Sequence, residues 1–429
     1  MKKLLFSIAA FCSLLLHAQN QPVVEWINTN AIVIEDATPT TPPAAFAANV
    51  PKKFKDARVF GFGEASHHGK EFFDLKAKFF KYLVENQGVT LFIMEESYQA
   101  EEGINRWISG GEGDINTIKD NFRLIIWHNK EVVELLQWMR NYNAGKPREK
   151  QVRFYGMDNQ MGDSLNTKLR NYVKKHNISI DENLLTAADS CAAAKLKAGG
   201  LKGWGDKMHP QLQQVRKVLE SKSGRLSAAG SEEYYDTMRA LNYLEEYTLF
   251  VTAPYSQSRD RDMYNNVVEI LQHEGPNSKA FVWAHNAHID KKSYGHYSSL
   301  SVGARLKEHF ADAYYAVGFD FGAGILPGLV IKDKKANGWK NYDFKTPYKG
   351  THAEVLVQAQ PDVFFVDMDT ANTNKDAAKF FNKKLKQLFL GGPGYNPDEP
   401  FFMKVKFAEH YDGIIFVKNI LPATYDFSF

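Results

Sequence analysis

Apolar residues follow two alternating rhythms along this chain. Short, nearly unbroken apolar runs each pass directly into a polar cluster: Val59-Phe60 leads through Gly61-Phe62-Gly63 to Glu64-Ala65-Ser66-His67, and Phe92-Ile93-Met94 leads to Glu95-Glu96. Val152-Arg153-Phe154-Tyr155 leads in the same way to Gly156-Met157-Asp158, and Phe281-Val282-Trp283-Ala284 to His285-Asn286-Ala287-His288. Runs of this length, apolar on both faces, are what a parallel sheet covered by helices requires. Between the first two runs the rhythm changes. Phe72, Phe73, Leu75, Phe79, Phe80 and Leu83 recur at three-and-four spacing, predicting a helix over 71–85 with one buried face. Strand 58–62, that helix and strand 89–94 form a βαβ unit, whose crossover is expected to be right-handed. A second helix is predicted over 130–142, before the strand at 152.

More residues separate Asp158 from Phe281 than one crossover needs. Helix-forming stretches at 165–175, 182–196, 211–221, 232–250 and 259–273 predict a large helical insertion, at about 161–275, forming a lid over the strand edge. Further strands are predicted at 314–319, 363–367 and 413–417. The Pro/Thr/Ala stretch 38–48 reads as a loop within a lead-in segment, 20–57, and 338–350 carries no usable pattern. The expected architecture is an α/β fold, a mostly parallel sheet flanked by helices, occupying 58–429. Open parallel sheets bind ligands outside the carboxyl ends of their strands. Neighbouring strands would therefore gather several acids with His67, His285 and His288 along one sheet edge.

The chain is 44% apolar and 24% charged, an ordinary globular balance, so disorder is excluded as an organising principle. A formal charge of +3 without a basic block or basic helix face argues against a nucleic-acid partner and favours a small molecule or glycan. Lys2-Lys3, the apolar run 4–16 and His17-Ala18-Gln19 read as a secretory signal spanning 1–19, which predicts a periplasmic or secreted protein. The run is short for a membrane span, so no stable membrane insertion is expected. Cys12 sits in a poor lipobox context, which leaves Cys191 as the one thiol after cleavage; an intrachain disulfide is then impossible.

His67 is the leading catalytic candidate. An imidazole titrating near neutrality can take a proton from water while a carboxylate, Glu64 or Glu95, orients it. The plainer alternative is an exposed histidine in a turn where Ser66 or Glu64 caps the next helix. His285 and His288 could ligate a metal, protonate a leaving group or bind an oxyanion, or could satisfy buried backbone groups. Lys76, one turn beyond Phe72, could reach back to the carboxylates or sit on a solvated face. Asp158 could orient a histidine or cap the first inserted helix. Trp127 could line a pocket or belong to the core. No Gly-x-Ser-x-Gly elbow, Walker loop or complete dinucleotide fingerprint occurs, and no motif calls for a metal or other cofactor.

Gly63-Glu64-Ala65-Ser66-His67 with Glu71-Phe72, Met94-Glu95, Gly156-Met157-Asp158, Arg259-Asp260 with Met263, and Ala284-His285-Asn286-Ala287-His288 together resemble the erythromycin esterase family, from about Arg58 to Tyr411-Asp412-Gly413. The resemblance implies hydrolysis of an ester without a covalent enzyme intermediate. His67 would be the general base, with Glu64 and Glu95 positioning it and the substrate, and His285 and His288 completing the site around the carbonyl and the leaving alcohol. Lys76, Glu71, Trp127, Asp158 and Arg259 are expected on the substrate-binding side. Macrolide-cleaving members can carry arginine where Lys76 stands, and lysine lacks that bidentate fork. Opening of a macrolide lactone is the first expectation. An exported esterase of glycan acyl groups or other small esters is the second, and a metal- or tetrapyrrole-binding protein the third.

Overall fold

The computed structural model describes residues 20–426 apart from 198, 255–257, 294–299, 333–334 and 392–394. The expected signal segment lies outside the described residues. The described residues form eleven strands: β1 Ile32–Val33, β2 Val59–Phe62, β3 Leu91–Ser97, β4 Arg153–Asp158, β5 Ala280–Trp283, β6 Tyr314–Lys332, β7 Lys335–Phe344, β8 Val363–Asp367, β9 Leu385–Leu388, β10 Phe402–Val405 and β11 Gly413–Ile420. Nine of them form one sheet in the order β1-β8-β11-β6-β2-β5-β3-β4, with β7 folded back on β6. The pairs β11–β6, β6–β2, β2–β5, β5–β3 and β3–β4 are parallel. β8, β1 and β7 run antiparallel to their partners.

Side chains alternate between two cores, as the pleat demands. Phe60, Phe62, Phe92, Met94, Phe281 and Trp283 enter one core with α1 (Lys70–Gln87), α2 (Glu101–Ile108) and α3 (Lys130–Asn143). Val59, Leu91, Ile93, Ala280 and Val282 enter the other. The predicted face of α1 is buried, and the helix ends where Gly88 adopts the left-handed conformation at φ 71°, its N–H bonding the Leu83 carbonyl.

The inserted helices are α4 (Leu165–Lys175), α5 (Glu182–Ala193), α6 (Trp204–Glu220), α7 (Ser223–Thr252) and α8 (Ser258–His273). Two begin earlier than their sequence pattern suggests, because Pro210 lies inside α6 and α7 bends at the non-helical Gly230. Leu169, Cys191, Leu212, Val215 and Leu244 give α4–α7 a core of their own. α8 differs, since its Met263, Val267 and Ile270 pack into the second sheet core. The separate helical unit therefore stops short of the expected boundary near 275. It is seated beside the ends of β3 and β4 by a buried Arg239–Glu101 ion pair and by the Tyr243 hydroxyl, which donates to the Gly156 carbonyl at 2.5 Å.

Two expectations are corrected. The lead-in is part of the fold: residues 20–30 are helical, β1 joins the sheet, and Phe46 and Phe54 are fully buried with ring centroids 4.9 Å apart. Phe46 is isolated among Pro, Thr and Ala and Phe54 among lysines, which hid them. The strand expected to stop at Phe319 continues to Lys332 and returns as β7 through the unreadable 338–350 region. Gly322, Gly324, Pro327 and Gly328 break its apolar pattern, and a Cβ on Gly324 would lie 1.9 Å from the Ile420 carbonyl oxygen.

The final described residues form a strap across the turn after β2. Ala423 N–H donates to the His68 carbonyl at 2.7 Å and Lys70 N–H to the Leu421 carbonyl at 2.8 Å. The Tyr425 hydroxyl pairs with His68 Nδ1 at 2.8 Å and donates to the Ile126 carbonyl at 3.1 Å. Among the described residues no helix is long and apolar enough to cross a membrane.

Candidate active site

Parallel pairing of β2, β5, β3 and β4 brings the four polar clusters to one sheet edge. The turn after β2 can approach the turn after β5 because residue 63 is glycine. A Cβ there would lie 2.1 Å from Asn286 Oδ1. Asn286 is spent on scaffold, its amide bridging the N–H and carbonyl of Phe319 at 3.0 and 2.7 Å while its own N–H donates to the Glu64 carbonyl at 2.9 Å.

Glu64 is fully buried and divides its oxygens between two partners. Oε1 lies 2.6 Å from His67 Nδ1, and Oε2 accepts from Lys76 Nζ. The carboxylate fixes the His67 proton on Nδ1 and turns the Nε2 lone pair outward. That side chain retains 15% exposure, enough for water to reach it. Its ring stands 5.7 Å from Trp127 and 5.1 Å from His285. Lys76 is sealed from solvent, with Nζ 3.9 Å from the Trp283 ring centroid. Burial lowers its ammonium to about 8 against the pull of Glu64.

The second half of the site centres on Arg259 at the start of α8. Its guanidinium forks onto Asp158 at 2.9 and 2.8 Å and also donates to Glu95 Oε1 at 2.9 Å. Glu95 Oε2 accepts the His285 backbone N–H at 2.8 Å. Burial acts to raise the Glu95 carboxyl, but His288, His67 and Arg259 outweigh it and hold the group well below the usual carboxylate range. His288 lies between two acids, with Nδ1 2.8 Å from Asp260 and Nε2 3.2 Å from Glu95. Only an imidazolium can donate from both nitrogens. Burial opposes that charge, yet Asp260 and Glu95 push the ring up to about 10. Arg259 Nη1 lies 3.1 Å from His288 Nε2, a donor to that nitrogen when the ring is neutral and a packed like charge while it is protonated.

His285 is held in the opposite state. Its Nδ1 accepts the Ala287 N–H at 3.2 Å, capping the short helix Asn286–Ile289. Burial, and then the neighbouring His67, keep the ring well below the ordinary histidine range. The neutral ring therefore carries its proton on Nε2, which is buried without a hydrogen-bond partner. The nearby Ala65 backbone, which favours the charged ring, makes no bond of normal geometry with it. Phe389 packs on the ring at 4.6 Å.

The expected residues are thus sorted. His67, Glu64, Glu95, His285, His288, Asp158 and Arg259 converge. Trp127 is fully buried, and it borders the cluster by donating Nε1–H to the Glu95 carbonyl at 3.1 Å. Lys76 is present but committed to Glu64, so a substrate-binding role is corrected to an internal counter-ion. Glu71 does not join. It accepts the Leu421 N–H at 2.7 Å and anchors the carboxyl-terminal strap. Asp260, to which sequence reading gave no role, holds His288. Phe389 carried no signal, since nothing in its segment marks it. In the His285/His288 pair, His288 lies against Asp260 and Glu95 and His285 Nδ1 is taken by the Ala287 N–H. Among the described residues no group of three or more potential ligands could hold a metal ion. A cleft of about 640 Å³ between α2 and the inserted helices, lined by Arg106, Lys168, Glu233 and Arg239, does not include the histidine cluster.

A parallel α/β sheet with a histidine–carboxylate cluster at its carboxyl edge places this chain in the class of α/β proteins whose small-molecule sites lie outside the strand ends. The chain belongs to the erythromycin esterase family, whose profile matches residues 84–420, starting in the last turn of α1. It is 24% identical to Escherichia coli erythromycin esterase type II over 334 residues, 69% of this chain and 77% of that protein. Among solved structures it resembles a succinoglycan biosynthesis protein (TM-score 0.78, 21% identity, 94% and 98% of the two chains covered). It also resembles a histidine mutant of the erythromycin esterase EreC in its open conformation (TM-score 0.68, 14% identity, 91% and 97% covered). Family membership makes this chain an erythromycin-esterase-like hydrolase.

Proposed function

We propose that the protein hydrolyses the lactone ester of macrolides such as erythromycin by His67-activated water, without a covalent intermediate, and so inactivates the antibiotic. The observation that carries this reading is the His67–Glu64 pair, in which Nδ1 is engaged at 2.6 Å, the histidine side chain keeps 15% exposure, and its ring centroid lies 5.1 Å from that of His285. Nε2 takes a proton from water as its oxygen attacks the ester carbonyl carbon, and Glu64 stabilises the imidazolium that forms. The unpartnered Nε2–H of neutral His285 is the donor available to the tetrahedral oxyanion. Collapse breaks the bond to the alcohol oxygen, which recovers the proton from His67. The product is a ring-opened hydroxy acid. His288 and the Nε and Nη2 groups of Arg259 are engaged by carboxylates, so they act as a frame that keeps Glu95 ionised and, through its bond to the His285 N–H, fixes the oxyanion donor.

General-base help of this kind is worth about 10²–10⁴-fold. Mass spectrometry of erythromycin incubated with the protein should show the gain of one water, lost in His67→Ala that retains the native circular dichroism spectrum. No mass change with folded protein refutes the macrolide reading and transfers the test to acyl esters of glycans. The signal-like pattern of residues 1–19 supports, in this proposal, a site of action outside the cytoplasm. Fractionation finding it only in the cytoplasm would refute that part.

A further inference from the structure

Asp260 lies one residue beyond Arg259, yet it faces a different partner. Its Oδ1 accepts from His288 Nδ1 at 2.8 Å and from the Val302 N–H at 3.1 Å. Val302 is the first residue of the helix Val302–Phe310, whose cap, Ser301, bonds the Ala304 N–H. One carboxylate oxygen therefore joins the imidazole to a helix start in a different part of the chain. The charged and titratable groups facing His288 are Asp260 and Arg259 from α8, Glu95 from β3, and His285 from its own segment. Two acids against one guanidinium leave an excess of negative charge, which a neutral ring could not offset.

We propose that Asp260 is a positioning residue that holds His288 as an imidazolium between itself and Glu95, acting on the reaction only through that ring. The inference deepens the esterase reading and rests on it for its kinetic consequence. A neutral His288 would lose one of its two N–H donors. Glu95 would then lose a cationic neighbour, and with it part of the restraint on the His285 backbone.

The test combines a substrate-free measurement with a kinetic one. His288 is followed by NMR of protein with isotope-labelled histidine, its signal assigned by comparison with His288→Asn. In wild type the ring should stay protonated through neutral pH. In Asp260→Asn, which keeps an acceptor for the Val302 N–H, the midpoint should fall by about 1–3 pH units, the usual effect of removing an adjacent opposite charge. Asp260→Glu should restore it. The alkaline limb of the kcat/KM profile should move to lower pH by the same interval, a change that mere loosening of the fold does not produce. An unmoved midpoint in folded Asp260→Asn overturns the proposal. If the asparagine variant does not fold, a neutral His288 at pH 7 in folded Asp260→Glu overturns it equally. Because the NMR titration needs no ester, a shifted midpoint without turnover of any ester would leave the assignment standing and refute the esterase reading alone.

Discussion

Replacing Glu64 with glutamine preserves volume but removes a charge that serves two donors. His67 Nδ1 uses one carboxylate oxygen at 2.6 Å and the Lys76 ammonium uses the other. A glutamine offers a single carbonyl oxygen, and its NH₂ would confront the second donor. Lys76 is the group that yields. Burial already lowers it to about 8 even with Glu64 beside it, and loss of an adjacent charge is worth about 1–3 further units, carrying it below neutrality. A neutral amine can accept the amide N–H, so the fold survives. His67 keeps an acceptor for Nδ1 but loses the charge that stabilises its imidazolium. Amide-for-carboxylate substitution behind a catalytic histidine costs up to about 10⁴ in kcat. A loss of about 10²–10⁴, or about 3–5 kcal/mol at 1.36 kcal/mol per decade, is therefore expected, with little change in KM. The assay is steady-state hydrolysis of whichever ester wild type turns over, with nitrogen-15 NMR to record the His67 tautomer. A kcat within threefold of wild type, with the Nδ1–H tautomer unchanged, would refute the role assigned to Glu64.

Arg259→Met should destabilise the protein by about 3–5 kcal/mol in denaturant unfolding, because buried Asp158 and Glu95 lose their shared counter-ion; a loss under about 1 kcal/mol would contradict the network. Gly63→Ala forces a Cβ to within 2.1 Å of Asn286 Oδ1. It should cost about 1–3 kcal/mol and displace the turn after β5, visible as reduced thermal stability together with reduced kcat. The His288 ring, raised to about 10, binds a proton in the folded state where the unfolded chain, near 6.5, has released it. Its contribution is complete below about pH 6.5 and is lost as pH rises through about 10. Lys76, lowered to about 8, adds the opposite slope above that pH. The comparison is therefore read between pH 6.5 and 8, where wild-type stability should fall more steeply than that of His288→Asn; parallel curves would contradict the assignment.

The strand-to-polar transitions at residues 62–67, 94–96, 155–158 and 284–288 were legible because buried parallel strands leave uninterrupted apolar runs with chemistry at their carboxyl ends. Convergence of His67, Glu95, Asp158 and His285 followed on the condition that those strands are neighbours, and the sheet order supplies that condition. The charge states did not, because they depend on contacts across the chain. His285 and His288 are three residues apart, yet one is held neutral by burial and the neighbouring His67 while Asp260 and Glu95 hold the other charged. Lys76 gave no sign of burial, since one lysine on a mostly apolar helix face looks the same whether it meets solvent or Glu64. Glycines and a proline concealed the full length of β6, while α6 and α7 were shortened in the reading by Pro210 and Gly230.

The strap that pins the turn after β2 also sets an order of events during synthesis. His68 and Tyr425 are 357 positions apart, and Glu71 and Leu421 are 350 apart. Loop-closure entropy must be met before such contacts stabilise anything. A nascent chain exposes His67 early, but the bonds that the strap makes to His68, Lys70 and Glu71 form only after residues 421–425 have left the ribosome. The last restraints on the turn that carries the proposed base thus arrive at the end of synthesis, and a chain terminated before Leu421 would lack them.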